Sequence, residues 1–305
     1  RLKRSAYSLG LFNVTRLDVP VVVIGNLSVG GSGKSPLAAY LAQLLRKEGW
    51  QPGIVSRGYR GNSRNWPRDV NADSDPREVG DEPVMLASLT ACPVVAGPDR
   101  VAAAQQLIEH YACDVILSDD GFQHLRLGRD IDILVFDAQQ GKGPGNGWCL
   151  PSGPLREPAS TRKEADLLVW HGPDAADAPA GSYNMRLRSG SIYALHDGAI
   201  ADMQQLQNQR LHAIAGIGRP ERFFASLRAE GLNIVEHPFD DHHDYSTGDQ
   251  NFDDDCALIT TEKDALKLHP LNLSANIWVL PVEAELESNF DSDLLQMLTR
   301  RRPMP

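Results

Sequence analysis

The sequence predicts an α/β protein: a parallel sheet with helices on both faces, followed by a smaller second α/β subdomain. Three observations predict it. Short apolar runs alternate with helical patterns from Val19 to Trp170, one run enters a glycine-rich turn that leaves as a helix, and another delivers two aspartates at its end.

The first run, Val19-Pro20-Val21-Val22-Val23-Ile24, reads as a strand, and Leu37 to Leu45 reads as a helix. Between them lies Gly25-Asn26-Leu27-Ser28-Val29-Gly30-Gly31-Ser32-Gly33-Lys34-Ser35-Pro36. Glycines let successive backbone N–H groups turn inward around a polyphosphate, and the helix that follows adds the positive end of its dipole. Gly30, Gly31, Ser32 and Gly33 would cradle the phosphates, Lys34 would reach the terminal ones, and the Ser35 hydroxyl would hold Mg²⁺. Pro36 is tolerated in the first helical turn, where its missing N–H has no partner to lose. The general motif asks for glycine where Ser28 stands, so the match is incomplete. The order of strand, loop and helix is that of a P-loop NTPase-like core.

Pro52 to Ser56 reads as a second strand, followed by a long polar stretch to about Glu78, and Gly80-Asp81-Glu82-Pro83 opens a helical segment. Pro93 to Ala96 is a further strand, and Asp99 to Tyr111 a helix with Val101, Leu107 and Ile108 on its apolar side. The strand from Asp114 to Ser118 then runs into Asp119-Asp120-Gly121-Phe122-Gln123-His124. Aspartates at the carboxyl end of a parallel strand lie on the ligand-binding edge, where one can fix a metal and the other orient it. Ile131 to Asp137 and Leu167 to Trp170 complete this half.

Tyr183 to Leu187 and Ser191 to Leu195 alternate around Ser189-Gly190 and predict a β-hairpin. A second α/β unit follows: a strand from Leu211, a helix from Pro220 to Glu230, and strands at Leu232, Ala257 and Ile277. Its Gly216-Ile217-Gly218 lacks the third glycine of a dinucleotide fingerprint, since Glu221 stands there. Asp240-Asp241-His242-His243-Asp244 could bind a metal, tune a histidine or decorate a turn, and spacing alone favours the turn. The expected organisation is a basic membrane-proximal segment over 1–18, a P-loop core over 19–180, a β-hairpin linker over 181–210 and the second subdomain over 211–305.

Composition sets limits. The 305 residues are 42% hydrophobic and 23% charged, as in ordinary globular proteins. A formal net charge of -10 argues against a nucleic-acid footprint. Cys92, Cys113, Cys149 and Cys256 form no C-x-x-C pair, which argues against a zinc ribbon and fits a reducing compartment; Cys256→Ser is expected to do little to turnover. The start is different: Arg1, Lys3, Arg4 and Arg16 precede the first acid, with Leu2, Tyr7, Leu9, Leu11 and Phe12 among them. Such a segment can lie on an anionic membrane surface, and since the chain opens without Met, a further upstream segment is expected.

In the order in which they occur, the glycine-rich loop, Ser56-Arg57-Gly58-Tyr59, Gly80-Asp81-Glu82-Pro83, Asp119 to His124, Gly153-Pro154-Leu155-Arg156-Glu157-Pro158, Gly216 to Phe224, Asp241-His242-His243 and Thr261-Glu262-Lys263-Asp264 resemble the tetraacyldisaccharide 4′-kinases of lipid A biosynthesis. Ser28 matches that family's own loop. The resemblance implies an ATP- and Mg²⁺-dependent kinase acting on the 4′-hydroxyl of tetraacyldisaccharide 1-phosphate to give lipid IVA, at the cytoplasmic face of the bacterial inner membrane. It implies roles for Asp81 as base with His242 as its partner, for Lys34, Arg100 and Arg156 near the transferring phosphate, and for Ser35, Glu82, Asp119, Asp120 and Glu157 toward the metal. The alternatives are a nucleotide-dependent switch or metal-chaperone GTPase, and a non-catalytic membrane-binding module. In Thr261-Glu262-Lys263-Asp264 the lysine falls one residue late for guanine recognition.

Overall fold

The computed structural model describes residues 4, 6–7, 9–28, 33–137, 147–171, 178–250, 252, 254–271 and 276–301. Val29, Gly30, Gly31 and Ser32 of the glycine-rich loop, and Arg1, Leu2 and Lys3 of the basic start, lie outside them. The chain divides into two compact units, one of Arg1–Leu187 with Ala284–Pro305 and one of Arg188–Glu283.

The first unit is built on strands β1 (Val21–Gly25), β2 (Pro52–Ser56), β3 (Arg68–Val70), β4 (Val94–Ala96), β5 (Val115–Ser118), β6 (Ile131–Asp137), β7 (Leu167–His171), β8 (Ser182–Ser189) and, from the end of the chain, β14 (Val282–Leu286). They form one sheet in the order β14-β8-β7-β6-β1-β5-β2-β4-β3. Pairing is parallel from β8 across to β4, and β3 adds antiparallel to β4. Every residue of β1, β2, β5 and β6 is buried. Since successive side chains point to opposite faces, both faces of the central strands are covered.

Helices α1 (Lys34–Lys47), α2 (Pro76–Val79), α3 (Asp81–Thr90) and α4 (Arg100–Tyr111) supply that cover. α1 buries Leu37, Leu41 and Leu45, spaced four apart on one stripe. α4 begins where the Asp99 carboxylate accepts from the N–H groups of Val101 and Ala102, a standard N-cap that satisfies two otherwise orphaned donors. Its Val101, Ala103, Ala104 and Leu107 pack with Val21, Val23, Val55 and Ile116 in one core cluster.

The second unit carries β9 (Tyr193–Ala194), β10 (Arg210–Ala215), β11 (Asn233–Pro238), β12 (Ala257–Thr261) and β13 (Ile277–Leu280) in the order β11-β10-β12-β13-β9. All pair in parallel except β9, which is antiparallel to β13. Helices α5 (Met203–Gln207), α6 (Pro220–Ala229) and α7 (Glu262–Leu268) accompany them. Phe223, Phe224 and Leu227 of α6 pack on Leu211, Ala213 and Ala215 of β10 and Ile259 of β12.

Two expectations about organisation differ from this architecture. The hairpin over 181–210 does not form: β8 extends the large sheet beside β7, whereas β9 joins the small sheet beside β13. The two runs do not pair with each other across Ser189-Gly190: β8 lies between β7 and β14, and β9 lies beside β13. The second unit also ends earlier than 305. β14 neighbours β8 in the large sheet, and the last helix, α8 (Ser288–Thr299), belongs to the first unit. It buries Phe290, Leu294 and Leu298, sets Phe290 edge-on to Tyr183, and accepts hydrogen bonds at Asp291 from Tyr40 Oη (2.6 Å) and at Asp293 from Tyr183 Oη (2.6 Å).

Candidate active site

β1 and β5 are neighbours in parallel, so the segments after Gly25 and Ser118 emerge side by side at the carboxyl edge of the sheet. The approach is close: a Cβ on Gly25 would stand 2.3 Å from Phe122 Cβ, so only glycine lets the two segments pass. Gly121 N–H donates to Ile24 O (3.0 Å) and Gln123 Nε2 to Asn26 O (3.1 Å), fastening one loop to the other. Arg129 holds the far side, donating to the carbonyls of Phe122 (3.1 Å) and His124 (2.8 Å).

Gly33, at φ +84°, hands the phosphate loop to α1. That left-handed conformation favours glycine, and a Cβ there would also meet Met185 Cε at 2.8 Å. Lys34 and Ser35 therefore open the helix, with their backbone N–H groups and the positive dipole end facing outward. Lys34 Nζ stands 3.4 Å from Asp120 Oδ1. Arg156 Nη1 reaches both oxygens of the same carboxylate, at 3.2 and 3.0 Å. The segment carrying Arg156 is brought there by the backbone: Arg156 N donates to Leu27 O, and Leu155 bridges to Ser28.

The two adjacent aspartates sit in opposite electrostatic settings. Burial pushes the Asp119 carboxyl up, to about 7, with the negative charges of Glu82 and Asp120 adding to it against Lys34 and Arg100. For Asp120 burial acts in the same direction, yet Lys34 and Arg156 outweigh it and hold the carboxyl below its ordinary value. Asp119 is 1% exposed, and its Oδ1 is buried without a hydrogen-bond partner. A buried carboxylate oxygen left in that condition is costly unless a cation occupies it, which fits a magnesium ligand.

Arg100 opens α4 and is 2% exposed, donating to Asp119 O (3.1 Å) and Gly97 O (3.4 Å). Burial lowers its pKa to about 10, against the attraction of Asp119 and Asp120. Asp81 is buried at the first turn of α3, where Gly80, at φ +93°, turns the chain. Glu82 follows it, near enough to act on both Asp119 and Arg100. Glu157 is ion-paired with Arg4: its carboxylate accepts from Arg4 Nε (3.0 Å), with Arg4 Nη2 2.9 Å away, and the Arg4 guanidinium lies 4.9 Å over the Phe122 ring. The sequence reading placed Arg4 in a lipid-facing start and overlooked this pairing. It also overlooked Arg57, whose charge bears on Arg100, although the Ser56-Arg57-Gly58-Tyr59 block was a visible signal.

In the second unit, Gly216-Ile217-Gly218 follows β10, and Asp264 at the start of α7 is fully buried beneath it. Its carboxylate accepts from Gly216 N (3.0 Å) and Thr261 Oγ1 (2.8 Å). His242, at φ +64°, donates its backbone N–H to Gly216 O (3.0 Å). Lys263 Nζ lies 3.1 Å from Asp241 Oδ1 and 3.3 Å from His242 Nε2. Asp264 and Lys263 thus serve the unit's own loop and histidine, which disfavours a guanine-reading role for Thr261-Glu262-Lys263-Asp264.

No helix among the described residues is long and apolar enough to cross a membrane. The N-terminal segment nevertheless exposes Leu9 (74%), Leu11 (72%) and Phe12 (51%). From Thr15 the chain is docked, with Thr15 N donating to Arg126 O and Gly128 N to Thr15 O.

Comparison with known proteins gives a consistent result. The family model for tetraacyldisaccharide-1-P 4′-kinase, LpxK, matches residues 1–299. A tetraacyldisaccharide 4′-kinase of Alkalilimnicola ehrlichii is 50% identical over 287 residues, covering 94% of this chain and 85% of the relative. One of Nitrosococcus oceani is 45% identical over 298 residues, covering 98% and 86%. The crystal structure of the "apo" form of LpxK from Aquifex aeolicus in complex with ATP superposes with a TM-score of 0.81 at 30% identity, over 99% of this chain and 94% of the other.

Proposed function

The chain belongs to the tetraacyldisaccharide 4′-kinase family, and from that premise we propose how its residues carry the family's reaction, transfer of the γ-phosphoryl of ATP to the 4′-hydroxyl of tetraacyldisaccharide 1-phosphate in lipid A biosynthesis. The observation that supports the reading most directly is the meeting of Lys34, Arg156, Asp119 and Asp120 at one edge of the sheet. The ATP polyphosphate lies over the start of α1, where N–H groups and the helix dipole favour an anion. Lys34 serves the terminal phosphates, and Arg156 stabilises charge developing on the phosphoryl oxygens.

Ser35, Asp119 and Asp120 would hold Mg²⁺, with Glu82 close by. When bound, the ion neutralises phosphate charge during transfer. Arg100 fixes the Asp119 backbone from beneath. Glu157, committed to Arg4, secures the N-terminal segment and is not assigned to the metal. Asp81 takes the proton of the 4′-hydroxyl as its oxygen bonds to the γ-phosphorus and ADP leaves. His242 is assigned as the partner that sustains the basicity of that carboxylate. The enzyme works at the cytoplasmic face of the inner membrane, with the exposed Leu9, Leu11 and Phe12 on the lipid surface.

Radiolabel transfer from γ-labelled ATP to detergent-solubilised tetraacyldisaccharide 1-phosphate, with GTP as competitor, tests this. Lys34→Ala and Asp81→Ala are each expected to lower turnover by at least about 100-fold. Retained turnover in Asp81→Ala at saturating ATP and lipid removes Asp81 as the base. Failure of folded, membrane-competent protein to label the lipid makes the nucleotide switch the working reading.

A further inference from the structure

Away from the loops just described, the second unit gathers three chemically dissimilar ligand atoms. An imidazole nitrogen of His212, an oxygen of Asp254 and Cys256 Sγ all lie within 4.8 Å of one another, and it is Nε2 that contacts Asp254 Oδ1. His212 sits in β10, three residues ahead of its carboxyl end, with 5% of its surface exposed. Asp254 and Cys256 lie in the segment that leads into β12, the strand paired with β10. The Gly216 loop leaves the other end of β10, so this cluster takes no part in the chemistry assigned above.

We propose that His212, Asp254 and Cys256 form a site for one borderline transition-metal cation of the zinc class. A zinc ion bonds to imidazole nitrogen at about 2.0–2.1 Å, carboxylate oxygen at about 2.0–2.2 Å and thiolate sulfur at about 2.3 Å. In tetrahedral geometry the ligand atoms then stand roughly 3.3–3.6 Å apart. His212 Nε2 and Asp254 Oδ1 are 2.9 Å apart and the Cys256 sulfur lies within 4.8 Å of the other two ligand atoms, so to admit the ion the close pair opens by a few tenths of an ångström and the sulfur settles at tetrahedral spacing. The donor set decides the class, because imidazole with thiolate selects zinc-like ions over magnesium or calcium. Three protein ligands leave a fourth position for water, and Asp254 and the half-buried Cys256 keep it reachable from solvent.

The surroundings are those of a supported ligand. His212 Nδ1 lies 2.8 Å from His237 Nε2 on β11, on the side of the ring away from the three-atom cluster. With the metal on Nε2, His212 carries its proton on Nδ1 and donates it to His237. Phe252 stacks on both rings, at 4.0 and 4.1 Å between centroids, and limits their rotation. Such outer partners set the tautomer and orientation of a ligating histidine. Binding releases the thiol proton of Cys256 to solvent as the sulfur–metal bond forms, so affinity rises with pH. Its effect is to pin the segment before β12 to the middle of β10.

The test uses the full chain without an affinity tag, stripped with chelator and held in excess Mg²⁺, with Co²⁺ as the probe. Expected are one Co²⁺ per chain, a thiolate-to-cobalt charge-transfer absorption, and displacement by Zn²⁺. Cys256→Ser, at a half-buried position that tolerates serine, abolishes that absorption while the circular dichroism spectrum and kinase turnover stay as in the parent. His237→Ala weakens Co²⁺ binding by about 10–100-fold. No such absorption in the parent chain, or the same absorption in Cys256→Ser, overturns the proposal and leaves a histidine–aspartate hydrogen bond alone.

Discussion

Asp119 and Asp120 show how far single positions can diverge when they are adjacent in sequence. Asp120 faces two cations and is held ionised, whereas Asp119 is buried beside Glu82 with one oxygen unmatched. A carboxylate in that state opposes folding until a cation meets it. Asp119→Asn, nearly isosteric and uncharged, is therefore expected to raise the thermal midpoint of the metal-free protein while lowering turnover by at least about 100-fold. Calorimetry in chelator and the radiolabel assay read the two effects, and a lower midpoint would show that the carboxylate stabilises the fold. Lys34, Ser35, Asp119 and Asp120 were legible in the sequence because each follows from a strand and the loop attached to it. The grip of Arg156 on Asp120 and the capture of Glu157 by Arg4 were not, because these contacts span 36 and 153 residues and no local pattern encodes them.

At the scale of elements, α7 carries a pH dependence. Burial pushes the Glu262 carboxyl up from 4.5 to about 7, although the N–H of Val282 works against it. Below pH 4.5 folded and unfolded chains both hold the proton, and above about 7 both release it. Between these limits only the folded chain holds it, so stability falls as pH rises, by up to about 3 kcal/mol. Glu262→Gln keeps an acceptor for Val282 and removes the titration. Denaturant midpoints from pH 4.5 to 8 should decline less in the variant, and equal declines would exclude Glu262 as the source. The strands and helices of the sheet core were legible from apolar runs, glycines and caps. The hairpin was misread for a physical reason: Ser189-Gly190 between alternating runs satisfies every local hairpin rule, but pairing is decided by whichever remote strands complete a core. α8 had a signal, Phe290, Leu294 and Leu298 at four-residue spacing, in a segment for which no element was expected.

For the whole molecule, the decisive fact is that the first unit is discontinuous in sequence. α8 is consequently a component of the half that carries the proposed ATP site, although it is the last element made. Ending the chain before Ser288 removes three buried apolar side chains, worth about 5–9 kcal/mol together at 1.5–3 kcal/mol each. That is comparable to the whole stability of a domain. The truncated protein is expected to be insoluble or unable to bind ATP, and a soluble, ATP-binding product would show that α8 is dispensable. The same discontinuity imposes a timetable on the ribosome. β8 is delivered before any of the second unit exists and β14 after nearly all of it, an interval on the order of ten seconds at ordinary elongation rates. Throughout it the nascent sheet ends in an open strand able to pair with another chain. Arg186 and Arg188, exposed along β8, place charge on that edge while it waits.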